Sequence, residues 1–260
     1  MRRLLALVFL LPAVAPAQEV VTLRTRGEVT QAVFVTNMGQ RKAEAAAIVY
    51  NGGWGVLNLR MVNGQPKFAG GNFLVRTRGD FIRNGIWPFL VDVPSDQATG
   101  VTDEYRRSDK QVADTRAVIA EIRRRAPGLP IFILTTSRST LSGAHLGRSL
   151  GPDEVAGVVL TSTMIVPGQH WESLASFDFK SIKVPLLFVQ HHADICKATL
   201  YPNLVRAVQG YTLISVSGGK PAESDPCEPF SAHGYFGVER PTVDAISAWM
   251  LKRPFPTEVR

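Results

Sequence analysis

The sequence holds only two cysteines, Cys196 and Cys227, and nowhere sets His, Cys, Asp or Glu at metal-ligand spacing. No metal centre is expected. A dinucleotide or phosphate loop is also missing. Gly70-Gly71 precedes a helical pattern but lacks the accompanying fingerprint, so no cofactor is expected. There are no internal repeats, low-complexity tracts or interdomain linkers, which argues against a purely structural role. Apart from the first residues, no apolar run approaches the ~20 residues that cross a bilayer. Basic residues are not gathered into a stripe. Their densest cluster, Arg123-Arg124-Arg125, closes a predicted helix, where cations suit the dipole and the solvent. Nucleic acid is therefore not an expected partner.

What is present is an ordinary globular composition, 45% apolar and 20% charged over 260 residues. It begins with a basic pair, Arg2-Arg3, an apolar run from Leu4 to Leu11, and the small-x-small triplet Ala15-Pro16-Ala17. Those three regions predict a secretory signal peptide cut after Ala17. The alternative, a membrane anchor, is disfavoured because the run is too short to span ~30 Å of hydrocarbon. Residues 18–260 are expected to form one domain, exported to the periplasm or beyond, without a stable membrane anchor. Removing residues 1–17 takes away two arginines and no acid, lowering the net charge from +7 to +5. In an oxidising compartment Cys196 and Cys227 are expected to pair. Two free thiols are the alternative, since sequence does not show that they meet.

From residue 20 onward, short β-type runs alternate with helical patterns. Segments 20–26 and 29–36 flank Gly27-Glu28 as an antiparallel hairpin. Further strands are predicted at 45–50, 86–93, 129–136, 155–162, 185–191 and 211–217, and helices at 72–83, 106–125, 138–150, 198–208 and 242–251. In the longest helix Val112, Thr115, Val118, Ile119 and Ile122 share a face. Runs with little alternation are buried on both sides, which predicts a mostly parallel sheet of about eight strands with an antiparallel start and helices on both faces. Residues 163–184 read as a minimal lid.

In such a sheet, ligands bind at the carboxyl ends of the strands. One junction there, Thr135-Thr136-Ser137-Arg138-Ser139, runs from a buried strand directly into a helix. This is the position of a nucleophile elbow, normally G-x-S-x-G, although Thr135 and Ser139 stand where glycine is usual. Ser137 is the candidate nucleophile. Its bland alternative is a helix N-cap, a role Ser often takes. Ser139 remains a second hydroxyl nearby. Asp194 follows the next-to-last strand and His233 the last, so the groups occur in the order Ser, acid, His, each after a strand. Serine needs a base to become a nucleophile, and a carboxylate orients that base. His191 and His192 are rivals for the base, with packing or substrate-facing roles favoured; His145 favours a core or surface role, and His170 is open. For an oxyanion hole, one N–H is expected from Arg138 and the other from Asn51-Gly52-Gly53-Trp54-Gly55, with Gly53 first and Trp54 second. A plain tight turn is the alternative for these glycines, and Trp54 could instead line an acyl pocket.

With these loops located, the chain resembles a group of bacterial α/β-hydrolase-family proteins. The resembling stretches are YNGGWG with the later GGNFLVRTR, VDVPSD, TTSRSTLSGAHLG, VQHHADIC and PCEPFSAHGYFGVE, spread over nearly all of the segment after residue 17. In that group the elbow usually reads G-T-S-R-G-T, so Ser137 and Arg138 match while Thr135 and Ser139 depart. The resemblance implies an α/β-hydrolase fold, with Asp194 as acid and His233 as base. It also places Cys196 two residues beyond the acid and Cys227 six before the base, so a bridge would tie their loops together.

Together these features predict hydrolysis of an acyl bond in a small molecule, an ester or thioester rather than a peptide, through a covalent Ser137 intermediate. Acyl transfer or peptide cleavage by the same residues is the neighbouring reading. The contrasting class is a secreted binding protein on a hydrolase fold. Its sign would be a broken triad, and no triad member is missing.

Overall fold

Ala45–Tyr50, Ile131–Thr136, Gly157–Thr161 and Leu186–His191 are buried at every residue. A strand with no exposed position must be covered on both faces, and that requirement organises the molecule. The computed structural model describes residues 18–36, 38–39 and 41–260; the segment read as a signal peptide, 1–17, lies outside them. In chain order the strands are β1 (Glu19–Arg26), β2 (Val29–Val35), β3 (Ala45–Tyr50), β4 (Arg60–Val62), β5 (Gln65–Lys67), β6 (Ile86–Pro94), β7 (Ile131–Thr136), β8 (Gly157–Thr161), β9 (Leu186–His191), β10 (Thr212–Val216) and β11 (Glu258–Val259). The helices are α1 (Phe73–Arg76), α2 (Arg78–Arg83), α3 (Asp103–Arg106), α4 (Asp109–Arg125), α5 (Thr140–Ser149), α6 (Tyr201–Ala207) and α7 (Glu239–Met250).

Nine strands form one sheet in the order β1-β2-β6-β3-β7-β8-β9-β10-β11, and β4 pairs only with β5. The β1–β2 and β2–β6 pairs are antiparallel, and all others in the sheet are parallel. Side chains alternate across it as a period of two demands. Ala46, Ile48 and Tyr50 pack with Val112, Val118, Ile119 and Ile122 of α4. Ala45, Ala47 and Val49 face the other way, against Phe73, Leu74 and Phe81 of α1–α2 and Ile246 of α7. Each large apolar side chain so buried contributes about 1.5–3 kcal/mol, which fixes the strand register and hence the loops at the strand ends.

The mostly parallel sheet with an antiparallel start and helices on both faces is as expected, its ninth strand being β11, only two residues long and without a pattern. Three local details differ. The helix expected over 106–125 is two, because Ser108 is the N-cap of α4 and breaks it from α3. The helix expected over 72–83 is likewise divided at Thr77, whose hydroxyl bonds back to the Phe73 carbonyl at 2.7 Å. The Gly-rich stretch after β3 contains the β4–β5 hairpin, which is too short and polar to read from periodicity.

Candidate active site

The central parallel strands deliver their carboxyl ends to a cleft of about 960 Å³. Ser137, Arg138, Gly53, Trp54 and His233 all line it, as do both cysteines. A second depression of about 390 Å³, lined by Arg41, Lys42, Arg83, Asp244 and Arg253 among others, holds no such set.

Ser137 is the first residue of a tight 3-10 turn joining β7 to α5, with φ 54°. A non-glycine residue in the left-handed region stores about 1–3 kcal/mol, and such strain persists where the surroundings hold it. Thr136, not Ser137, is the N-cap of that turn, and the Ser137 hydroxyl makes no hydrogen bond within the protein. It is free for other work.

Ser139 is not equivalent. It is fully buried; its Oγ accepts the Thr136 N–H at 2.9 Å and lies 2.9 Å from the Tyr50 and Thr136 carbonyls, one of which takes its proton. A second unusual residue, Thr135, is accommodated from the helix side. A Cβ on Gly143 of α5 would lie 2.6 Å from the Thr135 hydroxyl, so the glycine that permits close strand–helix contact has moved across the interface. Gly52 does the same beneath Ser137, where an added Cβ would stand 3.3 Å from the Ser137 Cβ and 3.2 Å from the Thr136 carbonyl.

On the opposite wall, Asp194 follows β9 and is almost fully buried. One of its carboxylate oxygens, Oδ1, accepts the Cys196 N–H at 3.0 Å. The other accepts from Gln190 Nε2 at 2.8 Å and Thr199 Oγ1 at 2.8 Å, and lies 3.1 Å from His233 Nδ1. Thr199 Oγ1 is also 3.1 Å from His233 Nδ1. The Thr199 proton goes to the carboxylate, so its oxygen can only accept from the ring; this network assigns the ring proton to Nδ1. Nε2 is then the basic nitrogen. It is buried, without a protein partner, on a side chain that lines the cleft.

The disulfide joins Cys196 to Cys227 across 31 residues, with Cα atoms 4.7 Å apart. It links the acid's loop to the segment leading into the His233 turn. His191 and His192 do not line the cleft. His191 Nδ1 accepts the Ala193 N–H at 3.0 Å and its Nε2 donates to the Gly218 carbonyl at 3.2 Å, while His192 stacks on Tyr201. His145 sits beside Arg148, and only His170 of these four joins the cleft lining.

The loop after β3 is pinned by its carbonyls. Gly52 O accepts the Gly55 N–H at 3.0 Å, Gly53 O accepts Arg106 Nη2 at 2.7 Å and Trp54 O accepts the Val101 N–H at 2.9 Å. The N–H groups of Gly53 and Trp54 have no such partners. Asp92, at the end of β6, holds the next stretch by accepting the N–H groups of Leu57 and Leu59 at 2.8 and 2.7 Å. The Arg138 guanidinium forks onto Asp103 at 2.7 and 2.9 Å and covers the Trp54 ring at 4.4 Å. Burial works to raise the Asp103 pKa, but the Arg138 bond, the Glu172 N–H and Arg106 together hold it below the ordinary carboxylate value. Arg138 is raised in turn by the Asp103 bond. Its charge is committed within the protein.

Residues 163–184, read as a minimal lid, contribute Met164, His170 and Trp171 to the wall. Gln190, Thr199, Asp103 and Arg106 were not anticipated. No local motif marks any of them: Gln190 and Thr199 reach Asp194 from nearby positions without a periodic pattern, and Asp103 and Arg106 act through Arg138 and Gly53, 35 and 53 residues away. Among the described residues no group of three or more His, Cys, Asp or Glu converges as metal ligands would, and no helix is long and apolar enough to cross a membrane.

The architecture is the α/β-hydrolase fold. Solved structures that match it include a lid-less α/β serine hydrolase from Xanthomonas campestris, with 16% identity, TM-score 0.57, and coverage of 91% of this chain and 97% of that one. An α/β serine hydrolase homologue from Coxiella burnetii matches at 13% identity and TM-score 0.59, covering 91% and 97%. Est1E of Butyrivibrio proteoclasticus, solved with ferulic acid, matches at 12% identity and TM-score 0.60, covering 90% and 98%. At these identities the likeness concerns the fold. No family model and no curated protein matches the chain in sequence.

Proposed function

We propose that this protein is an exported serine hydrolase that cleaves the acyl bond of a small ester or thioester. One observation carries the reading. His233 has its Nδ1 proton engaged by Asp194 and Thr199, while its unpartnered Nε2 belongs to the same cleft as a hydroxyl, Ser137, that caps nothing and sits at φ 54°. That is the division of labour an activated serine needs.

In the reaction, Ser137 Oγ attacks the acyl carbon as its proton passes to His233 Nε2. Asp194, held by Gln190 and Thr199, stabilises the resulting imidazolium. The tetrahedral oxyanion is received by the Arg138 N–H and by Gly53 or Trp54, whose N–H groups are free. Collapse returns the proton to the leaving alcohol or thiol. Water, deprotonated by His233, then releases the acid and restores Ser137. Trp54, Phe73, Met164, Trp171 and Ile195 give the cleft apolar walls, which suit an apolar acyl or alcohol group. The esterase-like neighbours agree with this chemistry. The 1–17 pattern and the disulfide agree with export.

The test is a fluorophosphonate probe applied to the mature protein and to Ser137→Ala and His233→Ala, with the adduct located by peptide mass. Labelling of Ser137 that both substitutions abolish is expected. A folded protein that resists the probe would turn the reading toward a binding protein on this fold, and an adduct on Ser139 would displace Ser137.

A further inference from the structure

Arg106 is the largest fully buried side chain among the described residues, at 1% exposure. A buried guanidinium is costly unless it is bonded, so its partners matter. Nη2 donates to the Gly53 carbonyl at 2.7 Å, Nη1 to Ser142 Oγ at 3.3 Å, and Nε lies 4.0 Å from Asp103 Oδ1. Burial lowers its pKa to about 10, which still leaves it cationic at neutral pH. Gly53 itself is at φ +55°, a conformation glycine adopts at little cost, and open space stands where a Cβ would be.

Resting on the serine-hydrolase reading, we propose that Arg106 is a positioning residue for the oxyanion loop: it holds the Gly53–Trp54 peptide so that N–H groups, rather than the Gly53 carbonyl, face the reacting oxygen. A trans peptide points its C=O and N–H in opposite directions, so anchoring the Gly53 oxygen fixes the Trp54 N–H as well. The cation on that oxygen also polarises the peptide, strengthening its N–H as a donor. Ser142 lies in α5, the helix that follows Ser137, and ties Arg106 to the nucleophile's element. One side chain thereby sets the oxyanion loop against the elbow.

The experiment compares Arg106→Met and Arg106→Lys with the wild type on one ester, reading kcat, KM, inhibition by a trifluoromethyl ketone and thermal unfolding. For Arg106→Met, kcat should fall about 10- to 100-fold with KM little changed, and ketone affinity should fall by the same factor. Arg106→Lys, which keeps a cation near the carbonyl, should recover part of both. Wild-type kcat in folded Arg106→Met overturns the proposal. So does a loss that only tracks the folded fraction, or failure of both variants to fold, since each makes Arg106 a core residue. Wild-type protein that ignores the fluorophosphonate probe would instead sink the underlying serine-hydrolase reading.

A different observation carries a second inference. Arg106 Nε, Gln31 Oε1 and Gln111 Oε1 are buried and make no hydrogen bond within the protein, and all three residues line one small pocket of about 20 Å³. One donor and two acceptors around a space that size match the bonding capacity of a single water. We infer a structural water there, donating to both amide oxygens and accepting from Arg106. A crystal structure able to place ordered solvent should show it in the wild type and not in Gln111→Leu. An empty or collapsed cavity in the wild type overturns the inference.

Discussion

The two walls of the cleft are built by different means. Ser137 and the Gly52–Trp54 loop sit at the ends of β7 and β3, which are adjacent parallel strands pairing Tyr50 with Thr135. Their relative position follows from sheet register, reinforced by the Ser139 hydroxyl, which lies 2.9 Å from the Tyr50 carbonyl. Asp194 and His233 lie 39 residues apart; their loops also follow adjacent parallel strands, β9 and β10, but His233 stands far beyond the last paired residue of β10, Val216, so register alone does not place it. They are brought together by side chains: Gln190, Thr199 and the Cys196–Cys227 bridge. The Ser137 side, proposed as the nucleophile wall, is held chiefly by main chain, whereas the Asp194–His233 side, proposed as the acid–base wall, depends more on side-chain cross-links. Damage to the first should appear in chemistry with little effect on stability, and damage to the second in both.

The largest effect is expected on the nucleophile wall. Ser137→Ala should lower kcat by about 10⁴-fold or more, because the members of such a triad act as a unit. Its melting temperature should stay near that of the wild type, since the hydroxyl bonds nothing. A large drop in stability would show that Ser137 has a structural partner and would blur the contrast. The next effect belongs to the other wall. Replacing both cysteines, as Cys196→Ala with Cys227→Ser, should cost about 3–4 kcal/mol by the loop-entropy model for a closure of this length. Ester turnover should fall as well, at temperatures where the variant remains folded. Urea unfolding with parallel kinetics checks both. Unchanged turnover in the folded variant would mean that the bridge stabilises the loops without holding the acid and base in register.

Thr199→Val sharpens the comparison within one wall. It removes the hydroxyl that donates to Asp194 and accepts from His233 while keeping the side chain's shape. A kcat loss of roughly 10-fold with about 1–2 kcal/mol of stability is expected, as for a buried hydrogen bond to a charged group. Equal turnover would place the whole orienting role on Asp194.

The same difference explains what could be read from the sequence. Strand ends are legible because buried parallel strands leave unbroken apolar runs, so the place of Ser137 and of the Gly-rich loop followed from β3 and β7. The order of Asp194 and His233 was legible too. Their supports were not. Thr199 and Gln190 matter only through where their side chains end after folding, and no periodicity carries that. Arg106 reads as the first residue of a long helix, yet a break at Ser108 turns it beneath the Gly53 loop. Thr135 looked like a defect in the elbow because its compensating glycine, Gly143, lies one turn into the following helix. The short β11 and β4–β5 escaped because two or three residues cannot display a pattern.

The smallest expected effect is a pH dependence that separates the walls by their structural histidines. His191 lies beneath the acid loop, buried, with Nδ1 accepting the Ala193 N–H and Nε2 donating to the Gly218 carbonyl. Burial lowers its pKa below the ordinary 6.5, although the Gly218 bond and Asp194 oppose this. His145, on the nucleophile's helix, is lowered by burial and by Arg148. With the folded value below the unfolded one, the unfolded chain binds more protons between the two, so stability rises with pH across that window. It should be complete above about 6.5 and decline as pH falls toward the folded pKa values. Protonation would also turn the His191 acceptor into a donor facing the Ala193 N–H. Melting temperatures between pH 7.5 and 5, conditions set by the window about the histidine pKa, should therefore drop in the wild type. His191→Asn can keep an acceptor for Ala193 without titrating, and His145→Gln removes the other group. If the acid–base wall is the weaker one, His191→Asn flattens the curve more than His145→Gln does. Equal flattening would make the two walls alike in their sensitivity to acid, and superimposable curves for all three proteins would remove both histidines from the account.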